Sequence, residues 1–449
     1  MTANDKIIRN ATLICFSEDH PAPIKADLLV RGTTIEAISR IGDIPGAETF
    51  DASDCIVMPG LINAHMHCWQ TALRGMAVDA ALPTYLGTIH GKMAPKLQPD
   101  DMAIAGLAAA LGQIDSGTTT IGDWCHNIPT PDHVDAAIDG LRQAGTRAVF
   151  FHGFPHRGRD DEPADITTLS HDRATLVRIQ DGPLKRTAGL ISMGMAILGP
   201  HYSTTEAAIA DLALAHELGV VASMHHSGGP ARSLDGWAKA TELGLLDAQI
   251  NIVHGNTFSA DQLRQLVELG VNFTSTPEVE MSAGHGEPIT KRLLDLGTGP
   301  SLGVDIESGI SGEMLTVARF ALAHERAAYH GSARDGGLPF AAINRSTARD
   351  ALLWATVRGA EALGLQDRVG RLRQGMAADL IVINTNHLNL AGGSDPYATA
   401  LNANPANIEA VMVAGEWRKR GGKLVGVDTK AVSSKLQASH FRLRVTDQN

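Results

Sequence analysis

Between about residue 59 and about residue 330 the chain alternates short apolar runs with stretches whose apolar positions recur at helical spacing. This is the pattern of repeated strand–helix units. The apolar runs predict strands near 60–66, 118–123, 147–152, 191–197, 220–225, 249–254, 271–276 and 301–304. Two intervening helices are well marked. Ser203, Thr204, Thr205 and Glu206 offer N-capping groups, apolar positions recur at Ile209, Leu212 and Leu218, and Gly219 stops the run. Ser259 to Leu269 turns Leu263, Leu266 and Val267 to one face and ends at Gly270. Eight strands separated by helices favour a closed (β/α)8 barrel of the TIM type over an open doubly wound sheet. Thr347 to Leu363 reads as one further long helix.

The flanks follow a different rhythm. Residues 1–58 and 368–425 carry short alternating strands and turns, such as Leu28-Leu29-Val30-Arg31-Gly32 and Asp379-Leu380-Ile381-Val382-Ile383. Chain ends commonly lie close together, so the two flanks are expected to join as one small β-sandwich domain beside a barrel spanning 59–367. Residues 426–449 read as a polar tail with a short helix.

Composition narrows the function. A net charge of −11 argues against nucleic acid or an anionic membrane as the principal partner and leaves a small-molecule substrate. No apolar run approaches the roughly 18 residues that span a bilayer, and no signal-peptide pattern opens the chain, so a cytoplasmic location is expected. Cys15, Cys55, Cys68 and Cys125 are scattered without a Cys-x-x-Cys pair, which suggests buried thiols rather than disulfides or a zinc knuckle. Cys68 and Cys125 are candidates for a pocket wall.

The chemistry gathers at strand ends. Met58-Pro59-Gly60-Leu61-Ile62-Asn63-Ala64-His65-Met66-His67 ends in two histidines whose i, i+2 spacing puts both imidazoles on one face of a strand. Further apolar runs deliver His225 and His226, then His254, then Asp305. In a parallel barrel those ends share one rim, and several imidazoles with one carboxylate suit a divalent transition ion. His225 and His226 compete for one place, since adjacent strand residues face opposite sides; His225 is preferred because it stands closer to the end of the apolar run.

With these residues assembled, the chain resembles the amidohydrolase superfamily, in the branch of cytosine and guanine deaminases and triazine hydrolases. The resemblance rests on the Pro59–His67 motif followed by Gln70, on Ser116-Gly117-Thr118-Thr119-Thr120, on His225 and His254, on Ser301-Leu302-Gly303-Val304-Asp305, and on Gly370 to Leu380. It implies a distorted barrel with a β-sandwich from both termini. It further implies His65, His67, His225 and Asp305 as metal ligands, and His254 beside the metal, contacting the activated water or the substrate. No lysine follows Phe150-Phe151-His152 or Met195 to Gly199, so the bridging lysine of two-metal relatives has no candidate and one divalent ion is expected. Zinc is the first choice; iron and manganese accept the same donors. A homo-oligomer is also in keeping with the resemblance.

The sequence departs from the branch at Gly228, which occupies the place of a glutamate that shuttles a proton. Glu278 and Glu280 after the seventh strand are the nearest replacements, with Glu278 as the catalytic candidate and Glu280 as a substrate contact; Glu307 follows the eighth strand. Trp69 and Gln70 are tied to the metal motif as substrate contacts, and Trp124, His126, His152, His156, His201 and His285 lie near predicted strand ends. The leading reading is hydrolysis of a non-peptide C–N bond of a planar N-heterocycle, with Asp305 taking the proton of the water and His254 steadying developing charge. A chlorohydrolase or cyclic amide hydrolase is the alternative with the same chemistry. A silent metal- or ligand-binding paralogue is the alternative from another class.

Overall fold

The computed structural model describes residues 5–154 and 165–445. Eight parallel strands form the barrel in chain order: Leu61–Met66, Thr118–Cys125, Arg147–His152, Ile191–Ile197, Ala222–His226, Ile250–His254, Asn272–Ser275 and Ser301–Leu302. All eight match the apolar runs of the sequence. The ring closes between the first and last strands through the parallel bridge of Met66 with Asp305. Two backbone hydrogen bonds of 2.9 Å complete this seam, from Asp305 N–H to the His65 carbonyl and from His67 N–H to the Asp305 carbonyl. Gly303 permits the approach, since a Cβ there would stand 2.6 Å from the His65 carbonyl oxygen.

Register against the second strand shifts between Asn63 and Met66. The irregularity breaks strict alternation, so Ile62 and Ala64 join the interior cluster with Trp124, Val149 and Phe151 while His65 and His67 still face the rim. The two marked helices form as expected. Thr204 Oγ1 caps Thr205–Leu218 by accepting the Ala207 N–H, and a capping box of Ser259 and Gln262 opens Ala260–Glu268.

Two helices differ from expectation. The segment read as one helix is two, Ala348–Trp354 and Val357–Ala362. Ala355 sits at the break because its carbonyl accepts the Ile62 N–H of the first barrel strand at 2.8 Å, and Thr356 leaves the helical region. The terminal segment is longer than a short helix: Thr429–Val445 runs 17 residues and packs on Pro99–Asp115. Ser439 Oγ donates to Asp101 at 2.6 Å and Leu443 is buried, contacts that a largely polar sequence does not advertise.

Both flanks contribute to one nine-stranded mixed sheet, in which Leu380–Asn384 pairs antiparallel with Cys55–Pro59. Apolar side chains of this sheet share a core with the barrel, and one buried ion pair clamps the two together. Arg147, at the start of the third barrel strand, holds Asp379 through Nε at 2.6 Å and Nη2 at 3.0 Å, with both side chains almost wholly buried. Asp379 also accepts the Ala414 N–H at 2.7 Å. Removing one partner strands a buried charge, so Asp379→Ala is expected to cost about 3–5 kcal/mol of stability. Urea unfolding checks this, and a loss under about 1 kcal/mol, the range of an exposed pair, would show that the clamp carries little.

Candidate metal centre and catalytic cavity

The ring nitrogens of His65, His67 and His225 and a carboxylate oxygen of Asp305 lie within 4.8 Å of one another at the barrel rim. His65 Nε2 is 3.3 Å and His67 Nε2 3.4 Å from Asp305 Oδ1, and His225 Nε2 is 3.2 Å from His65 Nε2. Donors bound at zinc-like distances in a tetrahedron stand roughly 3.4 Å apart, so this spacing fits one small divalent ion. The protonation chemistry fits as well. His67 Nδ1 lies 2.7 Å from the Trp124 carbonyl, which can only accept; a neutral His67 therefore carries its proton on Nδ1 and turns a bare Nε2 toward the carboxylate. Lone pairs facing one another at such a separation are satisfied by a proton or a cation between them, and four donors converging on one point suit a cation.

Burial lowers the pKa of His65 and keeps its imidazole neutral despite the adjacent carboxylate. Burial alone would raise Asp305, but the surrounding imidazoles, His65 first, hold it well below the usual carboxylate range. Neutral imidazoles and an ionised carboxylate are the states in which these groups bind a metal. Asp305 and His254 both adopt left-handed backbone, at φ 68° and 71°. Such conformations cost about 1–3 kcal/mol each in non-glycine residues and persist where surrounding structure enforces them, here the seam and the Gly255 N–H bond to the His226 carbonyl.

His254 stands next to the cluster, its Nε2 3.9 Å from Asp305 Oδ2. From behind, Nδ1 meets Glu280 Oε1 at 3.3 Å and Thr276 Oγ1 at 3.1 Å. Glu280 is fully buried and also accepts from Thr276 N–H and Ser275 Oγ. Burial opposes a charged His254, yet the Glu280 bond and the two nearby carboxylates outweigh it and raise its pKa.

A cavity of about 540 Å³ opens over these groups. Its walls are chiefly apolar, from Leu82, Leu86, Ile166, Ile197, Leu198, Val279 and Ile306, with Trp124 as a flat face. Among the described residues Asp305 is the one carboxylate in the lining, and no lysine or arginine joins it.

Several sequence candidates fall elsewhere. Glu278 is not in the lining; burial, then the charge of Glu313, raises its pKa. Glu280 supports His254 from behind and does not reach the cavity as a substrate contact would. Glu307 is buried on Thr71 and Arg74. Trp69 and Gln70 also lie behind the wall: Trp69 packs on His90 and His126, and Gln70 joins a chain in which Ser308 Oγ donates to its Oε1 and its Nε2 donates to Tyr85 Oη. Cys68 and Cys125 are buried and outside the lining.

His126 and His285 do line the cavity, whereas His152 packs against His171 and His201 meets the Gly229 carbonyl. His156 lies outside the described residues. His225 faces the cluster and His226 the other side, stacked on Phe258 at 3.7 Å. Sequence reading missed Tyr85 and His90, which line the cavity from short helical segments away from any strand end, and Tyr202, which follows the fourth strand beside the named His201.

The model of the Amidohydrolase family matches residues 56–418. An 8-oxoguanine deaminase of Pseudomonas aeruginosa is 28% identical over 88% of this chain and 89% of its own length. A 5-methylthioadenosine/S-adenosylhomocysteine deaminase of Moorella thermoacetica is 25% identical over 96% of this chain and 97% of its own. Among solved structures, a triazine hydrolase variant superposes with a TM-score of 0.83 at 21% identity, over 97% of this chain and 99% of its own. The zinc complex of atrazine chlorohydrolase from Arthrobacter aurescens TC1 gives 0.81 at 20% identity, over 97% and 100%.

Elemental analysis after dialysis against metal-free buffer is expected to find about one divalent ion per chain, as one four-donor site holds one ion. His225→Ala should lose it and His226→Ala should keep it. The opposite pattern would exchange their roles.

Proposed function

Because the chain belongs to the amidohydrolase family, we propose that it hydrolyses a carbon–nitrogen bond of a planar N-heterocycle, with one divalent ion, zinc first, held by His65, His67, His225 and Asp305. The observation that carries this reading is the convergence of those four donors under an apolar cavity with a flat Trp124 wall. When bound, such an ion supplies Lewis-acid activation of water at neutral pH.

The chain's own groups divide the remaining work. Asp305 directs Oδ1 toward His65 and His67 and leaves Oδ2 toward His254, so Oδ2 is the atom placed to receive the proton released by the water. His254, fixed through Nδ1 by Glu280 and Thr276, offers Nε2 to the oxygen as charge develops on it. The apolar walls keep bulk water from this exchange and strengthen each polar contact inside. The ring carbon gains the water oxygen, its C–N bond breaks, and the departing nitrogen takes up a proton. The deaminases among the relatives favour ammonia as the leaving group.

One observation favours chlorohydrolysis or cyclic amide hydrolysis as the second reading. Gly228 has φ 104°, a conformation L side chains rarely adopt, and its carbonyl is pinned by Tyr202 Oη at 2.7 Å. The glutamate of the deaminase pattern therefore has no ready place there. Chloride leaves without a proton.

A panel of amino-, chloro- and cyclic-amide heterocycles, assayed for ammonia, chloride and ring opening, tests both readings. The expected result is turnover of at least one ring, abolished by chelation and restored by zinc. A fully metal-loaded protein inert toward every member would count against the hydrolase reading. Glu278→Gln should stay within about threefold of wild type, because a cavity group acting in proton transfer contributes 10²- to 10⁴-fold and Glu278 does not line the cavity.

A further inference from the structure

Gly228 has no side chain to offer and Glu278 and Glu280 are absent from the lining, but the loop after the seventh strand brings another polar group beside the cluster. His285 lines the cavity. Its ligand-type atom lies within 4.8 Å of those of both His254 and Asp305, and its ring centroid is 4.5 Å from that of His254. The short helix Pro277–Ala283 delivers it, its backbone N–H bonded to the Glu280 carbonyl at 3.1 Å. The same segment thus supports His254 through Glu280 and presents a second imidazole next to it.

The side chain is nine-tenths buried, yet its Nδ1 has no hydrogen-bond partner among the described residues. A buried polar atom without a partner is uncommon and marks a place that a ligand or water completes. Two other polar groups of the lining, Tyr202 and His90, are already committed. Tyr202 Oη is bonded to the Gly228 carbonyl, and His90 bridges Tyr85 Oη at 2.9 Å and His126 at 3.1 Å.

We propose that His285 is a substrate-contacting residue, whose imidazole hydrogen-bonds the heteroatom edge next to the attacked carbon. This rests on the hydrolase reading and deepens it, because it names the kind of ring the site takes. Burial, then the charge of His254, lowers the pKa of His285 to about 4, so at neutral pH the ring is uncharged, with one donor and one acceptor nitrogen. Its two nitrogens point away from each other, so a single nitrogen of the imidazole meets a single atom of that edge, a ring nitrogen or exocyclic group adjoining the carbon that bears the leaving group. It offers no counter-charge to phosphate or carboxylate substituents.

The test compares wild type with His285→Leu, His285→Asn and His285→Gln on the ring identified by the heterocycle panel. Metal content, kcat/KM and calorimetric affinity for the ring are read in each zinc-loaded protein. His285→Leu should keep its metal and lose 10²-fold or more in kcat/KM, with ring affinity falling at least tenfold. One of the two amides, whichever places its nitrogen where the imidazole donor stood, should recover at least tenfold of the loss, which general loss of packing would not allow. A His285→Leu protein within threefold of wild type in both kcat/KM and affinity would overturn the proposal, and so would a loss that neither amide repairs. Should wild type bind rings without turning any over, the hydrolase reading fails while affinities across the panel still decide the contact, equal affinities in wild type and His285→Leu rejecting it.

Discussion

Closure of the barrel between its first and last strands is the constraint on which the site depends. The seam is made by the backbone of the residues that carry the chemistry: Asp305 bonds to His65 and His67 through its own N–H and carbonyl. Two segments distant in sequence are thus held at fixed spacing by hydrogen bonds that the fold needs anyway. The left-handed backbone of Asp305 is the local cost of a residue that both joins the seam and turns its carboxylate toward two imidazoles. Gly303 belongs to the same device, since any side chain there would push the strands apart at the His65 carbonyl.

Around that seam the protein builds support outward. His67 is oriented by the Trp124 carbonyl, His254 by Glu280 and Thr276, and Glu280 in turn by Ser275 and the Thr276 backbone. Each ring nitrogen tied from behind fixes which nitrogen is free in front. The buried Arg147–Asp379 pair works at larger scale, clasping the terminal sheet to the third barrel strand and accounting for the aspartate of the Gly370–Leu380 motif.

Much of this was legible in the sequence because strand ends leave a strong local mark. Apolar runs located all eight strands, and histidine or aspartate at the ends of four of them pointed to the five groups at the rim. The opposite facing of His225 and His226 followed from the two-residue period of a strand alone. What failed depends on contacts remote in sequence. Nothing near Ala355 announces that its carbonyl is taken by Ile62, and the terminal helix buries too few apolar side chains to show a period. Glu278 and Glu280 were placed on the right loop, but a short helix turns one away from the cavity and the other behind His254. The neighbour that reaches the cavity, His285, was among the histidines named near strand ends, but it sits between two glycines in a stretch whose lack of periodicity gave it no role.

In the proposed function three imidazoles and one carboxylate form a single metal site, without thiolate although Cys68 adjoins His67 in sequence. X-ray absorption at the zinc edge of the zinc-loaded protein reads this most directly. One shell of nitrogen and oxygen at about 2.0–2.2 Å with imidazole back-scattering is expected. A sulfur shell near about 2.3 Å, or a second metal about 3.5–4 Å away, would contradict it.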